Sequence, residues 1–230
     1  KSRMVPVGII YNKGFLDELS AATSVKDITE LLVKCELGNY VDVLAEYEAG
    51  GGAKSKFLLE AKLDGEYYNA LLEVARSIKD GSVFSTAIGI LIDLTNLQIA
   101  ARAIIGGMKA DAAEGIIPGG YIIADKTIRE MLPLSLSDMP HRLEGTQYRQ
   151  MAEEILASYE QTASVTVVEE IVNKYKFQLL KEILSPRVMS PMVMVWYLIL
   201  KEFEIRNLRL ILKAIVDGIP PEGVKEYLVS

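Results

Sequence analysis

The sequence predicts an all-α protein built from tandem duplicated helical units with long buried helices. Three observations carry this. Apolar residues recur at helical spacing along most of the chain, alternating strand patterns are scarce, and the two longest apolar stretches match each other at a fixed offset. The best short strand candidate is Tyr121-Ile122-Ile123.

Taken in order, Ile28, Leu31, Leu32 and Cys35 step at helical intervals, and Ser24 with Asp27 forms a capping-box pattern ahead of them. Tyr40–Glu48 reads as a further helix. Leu58, Leu59, Leu63, Tyr67, Leu71, Leu72 and Ala75 hold one stripe for about five turns. Breaks fall at Gly50-Gly51-Gly52, Pro118-Gly119-Gly120, Ser185-Pro186, Pro191 and Pro220-Pro221. A long apolar helix is expected from Val83 to Ile105, closed by Gly106-Gly107. A second is expected from Met192 to Val216, with Pro191 at its start and Gly218 after its end. A membrane span needs about 20 apolar residues. Asp93, Asn96, Gln98 and Arg102 interrupt the first helix, and Lys201, Glu202, Glu204, Arg206 and Arg209 interrupt the second. Both read as helices buried in a helical protein and not as spans.

Composition narrows the function. With half of its 230 residues hydrophobic and 24% charged, the chain is globular in type. Cys35 is its only cysteine, so no disulfide forms within the chain and a reducing compartment is expected. The chain opens at Lys1 without an initiator Met, as a processed or truncated product would, and no charged-then-apolar leader precedes the first helix. His141 is the only histidine, which excludes Cys/His zinc sites and two-histidine metal helices, and its surroundings hold no nucleophile elbow. A net charge of −6 argues against a nucleic-acid surface. No cofactor site is expected.

The two long helices correspond at an offset of 111 residues. Ile88 meets Ile199, Asp93 meets Glu204, Asn96 meets Asn207, Leu97 meets Leu208, Arg102 meets Lys213, and Gly107 meets Gly218. The same offset lays Ser24-x-x-Asp27 on Ser135-x-x-Asp138. Gly38-Asn39-Tyr40 answers Gly145-Thr146-Gln147-Tyr148 after a small deletion, and Leu63-Asp64 answers Val172-Asn173 at a slightly shorter offset. Two repeat units follow, at 1–118 and 119–230. A period this long is a duplicated domain and not a solenoid repeat, and it suits a collar or funnel around a shared surface.

Catalytic readings of individual motifs fail on geometry. A phosphate loop over Ala49–Ser55 needs glycine where the chain has Ala53 and Glu48, and a strand where Tyr40–Glu48 reads as helix. Glu202 and Glu204 as an acid–base pair would point about 200° apart on a helix. The charges of this segment are expected to pair in a crowded interior, with Glu202 and Arg206 in the favourable i,i+4 order. Cys35, Tyr67, Tyr68, Trp196, Tyr197 and the methionines Met189, Met192 and Met194 are expected to pack, and His141 to sit near a helix start without a role.

The run Trp196–Leu212, with Gly218-Ile219-Pro220 and Val224–Leu228 after it, resembles the C-terminal end of the C subunits of archaeal-type (A-type and bacterial V-type) ATP synthases, a family whose eukaryotic counterpart is the d subunit of the vacuolar ATPase. Asp93-Leu94-Thr95-Asn96-Leu97, Arg102, Ile116–Tyr121 and Leu143-x-x-Thr146-x-Tyr148 resemble its middle unit. The family-signature positions are therefore Asp93, Asn96, Arg102, Glu202, Glu204, Arg206, Asn207 and Arg209. Family members usually carry three helical units in a pseudo-threefold funnel, so an N-terminal unit is expected to lie outside this sequence. The first repeat also has Leu91 and Thr95 where the second has Glu202 and Arg206.

The resemblance implies a non-catalytic central-stalk component of a proton- or sodium-translocating complex. It would join the rotor shaft, made of the D and F subunits, to the membrane proteolipid ring and transmit torque. Its place would be cytoplasmic and peripheral, held at the membrane through the complex. The competing classes are an unrelated helical adaptor and a carboxylate-based enzyme, which should present a pocket of convergent acids.

Overall fold

The computed structural model describes residues 13–35, 37–50, 55–79, 81–186, 190, 192–220, 222–225 and 227–228. Among them every regular element is a helix, and the Tyr121-Ile122-Ile123 run is a bend and not a strand. Met189, Pro191, Pro221 and most of the glycine-rich Gly50–Ser55 stretch lie outside the described residues. Two compact units divide between Tyr67 and Tyr68, inside a single helix.

The first unit holds α1 (Lys13–Ala21), α2 (Val25–Lys34), α3 (Gly38–Ala49) and the opening turns of α4 (Lys56–Ser77). The Ser24 hydroxyl accepts from the Asp27 amide at 3.1 Å, and the Asp27 carboxylate accepts from the amides of Ser24 and Thr23 at 3.0 and 2.8 Å. This reciprocal cap fixes the start of α2, which packs on α1 and α3. Phe15, Leu31, Val43, Leu44, Phe57 and Leu58 are buried, and Lys62 pairs with Glu46 at 2.7 Å. Cys35 is the C-cap residue of α2 and only half-buried.

The second unit is organised on α5 (Gly81–Gly106), whose apolar residues are buried on nearly every side. By length and composition it is the one helix among the described residues that could cross a membrane. Two-thirds of its apolar window is buried, as a core helix requires. Around it lie α6 (Lys109–Glu114), α7 (Asp125–Met131), a 3-10 turn at Leu136–Asp138, α8 (Met139–Arg142), α9 (Arg149–Thr162) and α10 (Thr166–Leu184). His141 sits exposed in α8. Next come α11 (Met192–Val216) and α12 (Glu222–Lys225).

The principal contact is α10 on α5; α9 and α11 also pack on α10. Ala87 meets Phe177, Leu180 and Leu184 of α10 with Met192, Trp196 and Phe203 of α11 in one cluster. Phe177 stands edge-on to Phe203 at 5.0 Å and tilted against Trp196 at 5.7 Å. Such aromatic pairs contribute about 0.5–1.5 kcal/mol each beyond their burial. Tyr175 of α10 donates to Glu154 of α9 at 2.7 Å, and burial raises the pKa of that phenol.

Several local devices recur at the 111-residue offset. Ser135 and Asp138 form a second capping box. Gly107 and Gly218 both take left-handed conformations, at φ +71° and +70°. The next amide bonds back five residues in each case, Met108 to the Ala103 carbonyl at 3.0 Å and Ile219 to the Ala214 carbonyl at 2.8 Å. These are the left-handed glycine caps that end helices.

Candidate functional site

The polar residues of α5 form one connected arrangement. Gly89, Asp93 and Asn96 are four and three residues apart, so they share a face of the helix. Along that face lies the stretch Ile117–Ile123. Asn96 pairs with the Ile117 backbone in both directions, donating through Nδ2 to the carbonyl at 2.8 Å and accepting from the amide at 2.9 Å. The Asp93 carboxylate accepts from the Ile122 amide at 2.8 Å and the Ile123 amide at 3.3 Å. The Tyr121 amide donates to the Gly89 carbonyl at 3.2 Å. The Tyr148 hydroxyl donates at 2.8 Å to the same Asp93 oxygen as the Ile122 amide.

Both polar side chains are enclosed, Asp93 at 0% and Asn96 at 1% exposure. A buried carboxylate without partners would cost several kcal/mol. Here backbone amides and a phenol supply the donors, and no buried side-chain polar atom among the described residues lacks a hydrogen bond. Burial pushes the Asp93 carboxyl above its usual range, and the hydrogen bonds from Ile122, Tyr148 and Ile123 pull it part of the way back. Burial, and then the Asp93 charge beside it, raise the Tyr148 phenol, so it stays a neutral donor.

The glycines in this stretch are dictated by close approach. A Cβ on Gly120 would strike the Asp93 carboxylate and lie 2.7 Å from the Ile123 carbonyl oxygen. Gly119 holds φ +99°, and a Cβ on Gly89 would sit 2.9 Å from the Tyr121 Cβ. The arrangement is a clamp that fixes an irregular segment to a rigid helix. Asp93 is the one acid in it and is enclosed. Among the described residues no set of three His, Cys, Asp or Glu side chains converges as a metal site. An open cleft of about 720 Å³ between α5 and α10 is lined by Thr86, Ile90, Tyr121, Gln147, Glu182 and Ile183, with a single acid.

The remaining signature positions are not brought to this clamp. Arg102 is half-buried on α5. On α11, Glu202, Glu204, Arg206 and Arg209 are exposed and Asn207 is part-buried. Their setting is an open surface and not the crowded interior expected for them. Glu204 pairs with Lys201 at 2.5 Å, and on α10 burial and then the Glu169 charge raise the pKa of Glu170, against a smaller lowering effect of the Arg206 charge. Tyr148, Gly89 and Gly120 complete the clamp, although their own spacing gives no sign of it. The available signal is an Asp and an Asn three apart inside an otherwise apolar helix, since buried polar groups need partners.

A family model described as "ATP synthase (C/AC39) subunit" matches residues 1–227. The C subunit of the A-type ATP synthase of Pyrococcus abyssi is 32% identical over 99% of this chain and 62% of its own length. The corresponding protein of Methanothermobacter thermautotrophicus is 29% identical, over 98% of this chain and 59% of its own. That of Methanocaldococcus jannaschii is 23% identical, over 99% and 57%. The chain thus spans about three-fifths of the length of these relatives. No solved structure matches it.

Proposed function

The chain belongs to the ATP synthase (C/AC39) subunit family, and on that premise we propose that it is a non-catalytic central-stalk component of an A/V-type ion-translocating ATP synthase or ATPase. In this reading it sits on the cytoplasmic side as a peripheral component. It joins the rotor shaft, formed by the D and F subunits, to the proteolipid ring and passes torque between them. The observation that carries the reading is the family match over residues 1–227.

The α5 clamp supports it physically. A part that transmits torque must not yield, and close-packed interiors have low compressibility. Clamping Ile117–Ile123 to α5 through Asp93 and Asn96 stiffens a segment that would otherwise be a mobile connection. The paired capping boxes and glycine caps at the 111-residue offset support two duplicated units, 1–118 and 119–230, as the lineage of the chain. Compact packing divides it elsewhere, because α5 of the first repeat is covered by α10 of the second. The signature charges on α11 are proposed contact positions and not catalytic ones.

The test is reconstitution. Membrane vesicles carrying the complex assembled without this chain should hydrolyse ATP without building an ion gradient, and adding the chain should restore the gradient. An equal gradient with and without it would contradict the reading.

A further inference from the structure

We draw no further inference here: the strongest candidate, the open cleft between α5 and α10 lined by Thr86, Ile90, Tyr121, Gln147, Glu182 and Ile183, carries nothing because nothing in the structure shows what covers it in a chain that spans about three-fifths of its relatives' length.

Discussion

The Tyr148 hydroxyl donates to the Asp93 carboxylate at 2.8 Å across 55 residues of sequence, and both side chains are at 0% exposure. This contact ties the turn before α9 to the middle of α5, on the carboxylate oxygen that also accepts from the Ile122 amide. A hydrogen bond to a buried charge is worth about 1.5–3 kcal/mol, more than an ordinary one.

Tyr148→Phe should therefore destabilise the second unit, and the cost should depend on pH. Asp93 has its folded pKa above the unfolded value of 3.8, so the native state binds the proton more tightly. Stability then falls as pH rises from the unfolded value through the folded one, and is flat above it. The Tyr148 hydrogen bond favours the charged form, and removing it raises the folded pKa further. The loss should be greater at pH 7 than at pH 4.5, in urea unfolding followed by circular dichroism. An equal loss at both would mean that the carboxylate is not the partner that matters.

Asn96→Ala would leave the Ile117 amide and carbonyl buried without partners, at about 1–3 kcal/mol for each orphaned group. Gly120→Ala should be as damaging for a different reason, because its methyl meets the Asp93 carboxylate and the Ile123 carbonyl. Amide exchange distinguishes local from global effects: the Ile117, Ile122 and Ile123 amides should lose protection in both variants.

A stabilising change is available at Ala163, which ends α9 at φ +52° with its amide bonded to the Tyr159 carbonyl at 2.8 Å. A left-handed conformation costs an L-residue about 1–2 kcal/mol, while glycine costs extra chain entropy. Ala163→Gly should gain about 0.5–1 kcal/mol net, measured by the same urea titration.

The capping carboxylates titrate in the opposite sense to Asp93. The pKa of Asp138 is lowered below 3.8, first by the Ser135 hydroxyl and then by its amide; that of Asp27 is lowered first by the Thr23 amide and then by that of Ser24. Their contribution is present above 3.8 and is lost as pH falls through the lower folded value. Asp138→Asn should lower stability at pH 7 while changing little at the acid end, so that the acid limb flattens, seen by thermal unfolding across pH 3–7.

Much of this is legible in the sequence because it is local. Ser24-x-x-Asp27 and Ser135-x-x-Asp138 form the boxes their spacing predicts, and α11 begins and ends at Met192 and Val216 as the pattern requires. The long-range part is not. Nothing in the spacing of Asp93 and Asn96 says that Ile117–Ile123 will fold back along them, or that Tyr148 will donate to the same carboxylate. Tyr121-Ile122-Ile123 resembles a strand because its backbone seeks partners, and it finds them on a helix side chain and a helix carbonyl instead of a sheet. The exposure of α11 departs from expectation for the converse reason. Apolar spacing states that a helix has faces to bury and not which neighbours bury them; here α10 and α12 pack on α11, and its charged positions stay exposed.

The rotor assignment meets its most direct test in a pull-down of the tagged protein from mildly detergent-solubilised membranes, with mass identification of everything retained. A rotor component should bring down the shaft proteins and the proteolipid ring, with ATPase activity in the retained complex and none in the isolated chain. Recovery of soluble proteins alone, from cells that contain the ATPase, would contradict it.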